Sequence, residues 1–118
     1  MSINNFIGIG NLSKPPTLKE TPSGVLVSNF SIAIDRKFYH TDQTTGQKTK
    51  QSECDWLPIV AWGKLAKSCN SHLQSGSKVC VKGSVRPRTY VDRQNVHHNT
   101  FEIIASEVIF LDKIKRST

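Results

Sequence analysis

The sequence predicts an all-β barrel with one short helix, and three observations lead to that fold class. Five stretches of the chain alternate between apolar and polar residues, which is the pattern of half-buried strands. Clusters of glycine, proline and small polar residues separate these stretches and predict turns. Only one segment, Lys64–Gln74 between Gly63 and Gly76, has a helical pattern. From a length of 118 residues we expect one domain, large enough to bury a single core.

The first half of the chain contains two predicted strands, each followed by a loop. Residues 5–12 form the first predicted strand, whose two glycines indicate a bulge, a bend or a close backbone approach. Residues 13–24 are rich in proline and glycine, which predicts a loop. Residues 25–38 form the longest strand, and such strands often bend to serve two parts of a barrel. Residues 39–52 have almost no apolar content, so we expect a long mobile hairpin loop there.

The third predicted strand, Glu53–Trp62, leads directly into the helix. Pro58 within it has no N–H to donate to a ladder, so it has to lie at a bulge or face an unpaired edge. Two further strands, 77–90 and 100–111, follow the helix and are joined by a polar loop. This order predicts a five-stranded Greek-key OB-fold barrel with one helix between strands 3 and 4. An SH3-like or split barrel is the alternative that periodicity alone leaves open.

The charge of the chain favours an anionic partner. It contains 16 Lys and Arg residues against 9 Asp and Glu residues, a net charge of +7. A compact domain that is this basic most often binds nucleic acid. The alternative interpretation is a soluble surface that happens to be basic.

The sequence offers little support for other function classes. Its three cysteines lack the Cys/His spacing of a zinc site and fit a reducing compartment, so we expect no metal and no other cofactor. The carboxylates form no recognisable catalytic constellation, so we expect neither an enzyme nor a small-molecule substrate. No stretch reaches the roughly 18 apolar residues of a membrane span, so no membrane partner is expected.

Two surface patterns predict how a nucleic acid would be bound. Trp56 and Trp62 share one face of the third strand, and at about 3.3 Å per residue they lie about 20 Å apart, a spacing suited to successive units of a polymer. One face of the fourth strand carries four cations and an aromatic residue opposite a core face of Val79, Val81 and Val85: Lys78, Lys82, Arg86, Arg88 and Tyr90. The competing interpretations are a core or subunit-interface role for the indoles and a solvated, aggregation-resistant edge for the cations.

Three segments resemble the single-stranded DNA-binding proteins of bacteria and organelles, the SSB family. The first is IGIGNL at 7–12, and the second is 56–66, where WGKLA matches an aromatic-Gly-Lys-Leu-Ala turn into a helix. The third is GSKVCVKG at 76–83, followed by RPRTY at 86–90. The resemblance implies an OB fold, binding of single-stranded DNA (ssDNA) without sequence preference, and self-assembly into a homotetramer, with a dimer as the alternative.

The resemblance also implies which residues stack on bases. Its aromatic positions are occupied by Phe38, Trp56, Trp62 and Tyr90. Strict alternation places Phe38 on the predicted core face with Phe30, so a bulge or a strand end is needed to bring it to DNA. The cations that we expect to contact phosphates are Arg36, Lys48, Lys50, Lys64, Lys78, Lys82, Arg86, Arg88 and Arg93.

We therefore expect a protein that binds and protects ssDNA in replication, recombination and repair. The alternatives are an OB-fold RNA-binding protein or a primosome-type adaptor. Residues 1–111 would form the OB domain, and 112–118 a short basic tail in place of the acidic, partner-recruiting tail of bacterial relatives. Such a chain is either a tailless relative, as in mitochondria, phages or mobile elements, or a sequence cut at the domain boundary. We expect a cytoplasmic location for a bacterial, phage or mobile-element protein, or a mitochondrion or plastid if a transit peptide has been removed.

Overall fold

The computed structural model describes residues 2–111 and shows a β-barrel with one helix. The predicted basic tail, 112–118, lies outside the described residues. The elements, in chain order, are β1 (Phe6–Leu12), β2 (Thr17–Glu20), β3 (Leu26–Thr41), β4 (Lys48–Trp62), α1 (Lys64–His72), β5 (Lys78–Val91) and β6 (His97–Phe110).

Five of the strands close into a ring in the order β1-β3-β4-β6-β5. Neighbouring strands are antiparallel except β4 and β6, which run parallel where Ile59 and Val60 pair with Ile103 and Ile104. Strand β1 closes the ring because it pairs with β3 near its end and with β5 along its length. The predicted five-stranded OB barrel is confirmed, since β2 lies outside the ring as an edge strand on β3 and α1 follows the third barrel strand.

The barrel core is built from alternate residues of the strands, as the period of two predicts. Helix α1 adds Ala66 and Cys69 to this core, and both are fully buried. The largest side chains that the barrel strands bury almost completely are Leu12, Ile32, Ile59, Val79, Val81 and Ile103.

Two glycines are required by the way the backbone runs. Gly63, between β4 and α1, has a φ of 65°, and its N–H donates to the Leu26 carbonyl at 2.8 Å. Residues with a Cβ rarely adopt this left-handed region. On β1, a Cβ added to Gly10 would lie 2.6 Å from the carbonyl oxygen of Ala33. Of the alternatives predicted for the glycines of β1, Gly10 shows the close backbone approach, where β1 closes the barrel on β3.

Three predicted loops are shorter than the sequence indicated. Residues 13–24 contain β2, all four residues of which are exposed. It is formed by backbone pairing with β3, so it leaves no apolar alternation in the sequence. The predicted mobile loop 39–52 is mostly strand, because β3 and β4 pair as far as Thr41 and Lys48 and only residues 42–47 turn. The predicted polar loop 91–99 likewise narrows to 92–96.

Two details of the strands differ from simple alternation. Val85, predicted to face the core, is 41% exposed because β5 has by then passed the last residue that pairs with β1. The register of β4 runs through Pro58, opposite Ser31, without a bulge. On its other side β4 pairs with β6 only at Ile59 and Val60, so the proline lies beside an unpaired side of the strand.

Candidate nucleic-acid interface

Two hairpins extend beyond the barrel and flank the candidate binding surface. The first arm, residues 35–54, is the paired ends of β3 and β4, and the second arm, residues 86–102, is the paired ends of β5 and β6. Residues on both arms are exposed or half-buried, with no fully buried position. The arms are therefore held by their backbone ladders and turns.

A groove of about 670 Å³ lies where segment 13–19 and the second arm approach the outer face of β3 and β4. Trp56 forms part of its wall, and Pro58 and Val60 lie on the same row of β4. Trp56 and Trp62 are 52% and 45% exposed, so neither indole belongs to the barrel core. The shared face predicted for Trp56 and Trp62 is present, opposite Ala33 and Val27 of β3.

Three cations and one carboxylate line this groove. Arg88 reaches it from the second arm, and Lys14 and Lys19 from the segment that contains β2. Nη1 of Arg88 lies 3.6 Å from Oε2 of Glu102, whose side chain is only 18% exposed. Glu102 thus orients Arg88, while the balance of charge keeps the groove positive. Lys14 and Lys19 were missed from the sequence, because they lie in a segment that was predicted to be a loop.

The basic face predicted for β5 is divided in the structure. Lys78 and Lys82 lie where β5 pairs with β1, opposite Asn11 and Ile7, and Lys82 also lies 3.8 Å from Glu107. Beyond a bulge at Lys82/Gly83, the outward row continues along the second arm with Arg86, Arg88 and Tyr90. Of these predicted cations, Arg88 is the one that lines the groove with Trp56.

Phe38 and Arg36 occupy the row of β3 that continues the core face, since Ile34, Arg36 and Phe38 alternate. Phe38 is half-buried and the guanidinium of Arg36 lies 5.7 Å from its ring centroid. Arg36 is also held by two carboxylates, Glu53 at 2.8 Å and Asp55 at 3.3 Å. By alternation these two predicted site residues lie on the face of the first arm opposite Trp56.

Tyr39 is an exposed aromatic residue that sequence reasoning missed. It lies on the row of β3 that includes Ala33, and Ala33 is the partner of Trp56. Tyr39 is 69% exposed and is paired with Lys50. Lys37 and Lys50 line a small hollow beside it. The signal was available, because counting by two from Ala33 reaches Tyr39 and passes over Phe38.

The remaining predicted cations are distributed around this surface. Lys64 is the first residue of α1 and follows Trp62 by two positions. Lys48 begins β4 opposite Thr41, at the tip of the first arm. Arg93 is exposed in the turn of the second arm. Lys48, Lys50 and Arg93 thus place positive charge on the two arms.

Cys54 is the exposed cysteine and lies two residues from Trp56 on the same row. Its Sγ donates to Oδ1 of Asp35 at 3.0 Å. This hydrogen bond raises the pKa of the Cys54 thiol, with smaller contributions from burial and from the charges of Asp35 and Asp55. Burial in the core raises the pKa of Cys69 to about 11. Neither thiol is a strong nucleophile at neutral pH.

Within residues 2–111, no cluster of three or more His, Cys, Asp or Glu side chains is arranged to hold a metal ion. No helix in that range is long and apolar enough to cross a membrane.

The barrel, the open groove and its cations together define an OB-fold domain of the kind that binds nucleic-acid strands. The chain belongs to the single-strand binding protein family, whose family model matches residues 3–111. It is 37% identical to single-stranded DNA-binding protein 3 of Clostridium acetobutylicum over 111 residues, which cover 93% of this chain and 72% of that protein. It is 33% identical to the single-stranded DNA-binding protein of Clostridium tetani, with 93% of this chain and 71% of that protein covered.

A solved structure agrees with this assignment. The Plasmodium falciparum SSB complex with ssDNA matches with a TM-score of 0.81 at 28% identity, over 95% of this chain and 97% of that chain. The family predicted from the three sequence segments is confirmed.

Proposed function

We propose that this chain binds ssDNA without sequence preference, by stacking bases on exposed aromatic rings and contacting phosphates with the surrounding cations. The observation that carries the proposal is Trp56, a half-exposed indole in the wall of an open, positively charged groove. Membership of the single-strand binding protein family and the likeness to the P. falciparum SSB complex support ssDNA as the ligand.

Aromatic stacking accounts for the lack of sequence preference. Every base has a π-face, and each base stacked on an aromatic side chain contributes about 1–3 kcal/mol. A DNA strand that follows β4 from Trp56 to Trp62 spans about 20 Å at about 3.3 Å per residue, so each indole contacts a different base. In a duplex these faces are occupied by neighbouring bases, so the groove selects single strands.

The cations contribute affinity and salt dependence. Arg88, Lys14 and Lys19 line the groove, and Lys64 follows Trp62. Each phosphate that they neutralise releases counterions, so affinity falls as salt rises. Because these contacts are to the backbone, they position the strand without reading its sequence.

The biological role that follows is protection of ssDNA intermediates in replication, recombination and repair, as a binding protein and not as an enzyme. The bacterial relatives support a cytoplasmic location. The free thiols of Cys54, Cys69 and Cys80 are in keeping with a reducing compartment.

Self-association is a further part of the proposal. The outward row of β1 exposes Ile7 and Ile9, which are 60% and 50% exposed. Ile9 pairs with Cys80, and Cys80 pairs with Ile109, so the apolar strip continues across three strands. A second copy of the chain would cover this strip and build a dimer or a homotetramer.

Ile9→Ser should lower the solution mass measured by light scattering at several protein concentrations, whereas Val91→Ser on the second arm should not. A wild-type protein that is monomeric throughout would contradict the proposal.

Binding itself is tested by titrating the protein with a dT oligomer. Binding should quench tryptophan fluorescence, and Trp56→Ala should weaken affinity by about 1–3 kcal/mol. Phe101→Ala removes an exposed aromatic from the opposite row of the second arm and is the matched control. No quenching at saturation, with binding verified by another method, would exclude stacking on the indoles.

A salt series on the same oligomer tests the phosphate contacts. Arg88→Gln should reduce the slope of log affinity against log salt by about 0.7, the value for one phosphate on a single strand. Lys67→Gln is the control, because it removes an exposed cation from α1 outside the groove. Equal slopes for wild type and Arg88→Gln would remove Arg88 from the interface.

A further inference from the structure

The second arm holds an arrangement of side chains that phosphate attraction does not explain. Tyr90 on β5 and His98 on β6 are cross-strand partners, and their rings are stacked with centroids 5.0 Å apart and planes 18° from parallel. Nε2 of His98 donates to Oδ2 of Asp92 at 2.7 Å. One face of the tyrosine is therefore covered by a ring that is itself held by a carboxylate.

Asp92 is fixed by the turn that joins the two strands. Its Oδ1 accepts the backbone N–H groups of Gln94 at 2.9 Å and Val96 at 3.0 Å. Asn95, with a φ of 64°, lets the chain reverse within this turn. The hydrogen bond from His98, followed by those from Val96 and Gln94, holds the pKa of Asp92 below its ordinary value, so the carboxylate is charged at neutral pH.

The stack of His98 on Tyr90 restricts the motion of a tyrosine ring that the arm does not otherwise hold in place. Trp56 is supported by a barrel wall, but Tyr90 lies on a two-stranded hairpin that has no core beneath it. An unsupported ring samples several rotamers, and a base that stacks on it has to immobilise it, at a cost in entropy. His98 limits this freedom in advance and leaves the other face of Tyr90, which is 47% exposed, for a base.

We propose that His98 is a positioning residue for ssDNA: anchored by Asp92, it holds the Tyr90 ring as a stacking platform, and its protonation tightens ssDNA binding. The proposal rests on the proposed function, because it assigns a role within the same binding surface. It adds a residue that can gain a proton to a surface that otherwise consists of aromatic rings, the Lys and Arg cations and the carboxylate of Glu102.

Protonation acts through the groups that face His98. A charged imidazolium strengthens the hydrogen bond to Asp92, because that bond then joins two opposite charges. It also adds a cation against the face of Tyr90. Arg88 lies two residues before Tyr90 on the same row of β5, where Glu102 is its ion-pair partner. Arg93 lies in the turn, and His97 lies next to the turn on the other face of β6. Histidine changes charge between about pH 5 and 8, so binding should tighten as pH falls through that range.

The test compares dT-oligomer affinity at about pH 5.5 and about pH 8 at constant ionic strength. His98→Gln removes both the ring and the proton. It should weaken binding roughly 2- to 10-fold, the range expected for one aromatic pair, and reduce the pH dependence. His98→Phe restores a ring without a proton, so it should recover affinity at the higher pH but not the pH dependence. Asp92→Asn keeps an oxygen for the turn and removes the charge, and should also reduce the pH dependence.

His97→Gln is the matched control, because His97 is the neighbouring exposed histidine on the other face of β6. It should retain both the affinity and the pH dependence of the wild type. A His98→Gln protein that binds like wild type at both pH values would overturn the proposal. So would a His98→Phe protein that keeps the full pH dependence. If His98→Gln does not fold, the proposal is tested by comparing the pH dependence of dT-oligomer affinity between His98→Phe and the wild type. Failure of wild type to bind the oligomer at all would instead refute the proposed function.

Discussion

The barrel and the two arms are made of the same strands but are stabilised in different ways. Inside the barrel, Ile32, Ile59 and Val79 are buried from every side, so packing sets their positions. In the first arm, the same β3 and β4 continue with exposed or half-buried side chains, and the ladder from Asp35↔Cys54 to Thr41↔Lys48 holds them together. One continuous pair of strands thus contains a packed half and a solvated half.

This difference indicates that the barrel and the arms have separate roles. The apolar residues of the barrel stabilise the fold by packing in its core. Trp56 and Trp62 are exposed on the outer face of the barrel strand β4. The arms contribute little buried area and place Tyr39 and Tyr90 on two-stranded ribbons whose local stability is low. We infer that barrel residues decide whether the protein folds, and arm residues decide how much of a DNA strand it engages.

The largest contrast should appear in stability. Ile59→Ala, in the barrel, should lower the free energy of unfolding by about 2–5 kcal/mol, because it leaves a cavity in a packed core. Val96→Ala, at the exposed turn of the second arm, should change it by no more than about 0.5 kcal/mol. Urea unfolding of both variants measures the difference. Similar losses from the two changes would mean that the second arm is part of the cooperative core.

The first arm should affect binding to longer strands. Tyr39→Ala should weaken binding of a long dT oligomer by about 1 kcal/mol, the low end for one stacked base, and should scarcely affect a short oligomer confined to the groove. Phe38→Ala is the paired comparison, since Phe38 lies under Arg36 on the opposite row. If Phe38→Ala causes the larger loss, the arm must twist to present that face, and the position implied by the family resemblance would be the correct one.

A smaller effect should be visible in the chemistry of Cys54. In the folded protein this thiol should react with a disulfide reagent while the buried Cys69 and Cys80 do not. The reaction should quicken as pH rises towards the pKa of Cys54, which the hydrogen bond to Asp35 raises, because only the thiolate attacks. A bound dT oligomer should slow the reaction, since Cys54 shares the row of Trp56. Labelling at the same rate with and without DNA would show that the strand leaves the row before Cys54.

The fold could be predicted because alternation and the helical segment are local signals. Leu57, Ile59 and Ala61 alternate with Trp56, Pro58 and Trp62 in the sequence. In β4 the side chains of Ile59 and Ala61 are buried and both indoles are exposed, although Val60 is buried as well. The four residues of β2 could not be predicted, because an exposed edge strand is specified by its partner and not by its own side chains. The ends of the arms were missed for the same reason, since Tyr39–Ser52 carries no apolar periodicity.

The candidate site was predicted in part. The shared exposed face of Trp56 and Trp62 could be predicted, because the two indoles alternate with aliphatic residues along the strand. Lys14 and Lys19 were missed because they reach the groove from a separate segment of chain. The sequence predicts one surface for the row of β5 cations, but Lys78 and Lys82 lie where β5 pairs with β1, away from the groove that Arg88 lines.

The sequence by itself determined the barrel, the place of its helix, the two indoles on one strand face and the basic character of the surface, because each is a property of neighbouring residues. Only the tertiary structure decided which of those residues meet. It brought Arg88 to Trp56, tied Arg36 to Glu53 and Asp55, and stacked Tyr90 on His98. These contacts depend on register and on how the strands close into a ring, which long-range pairing sets and local composition does not encode.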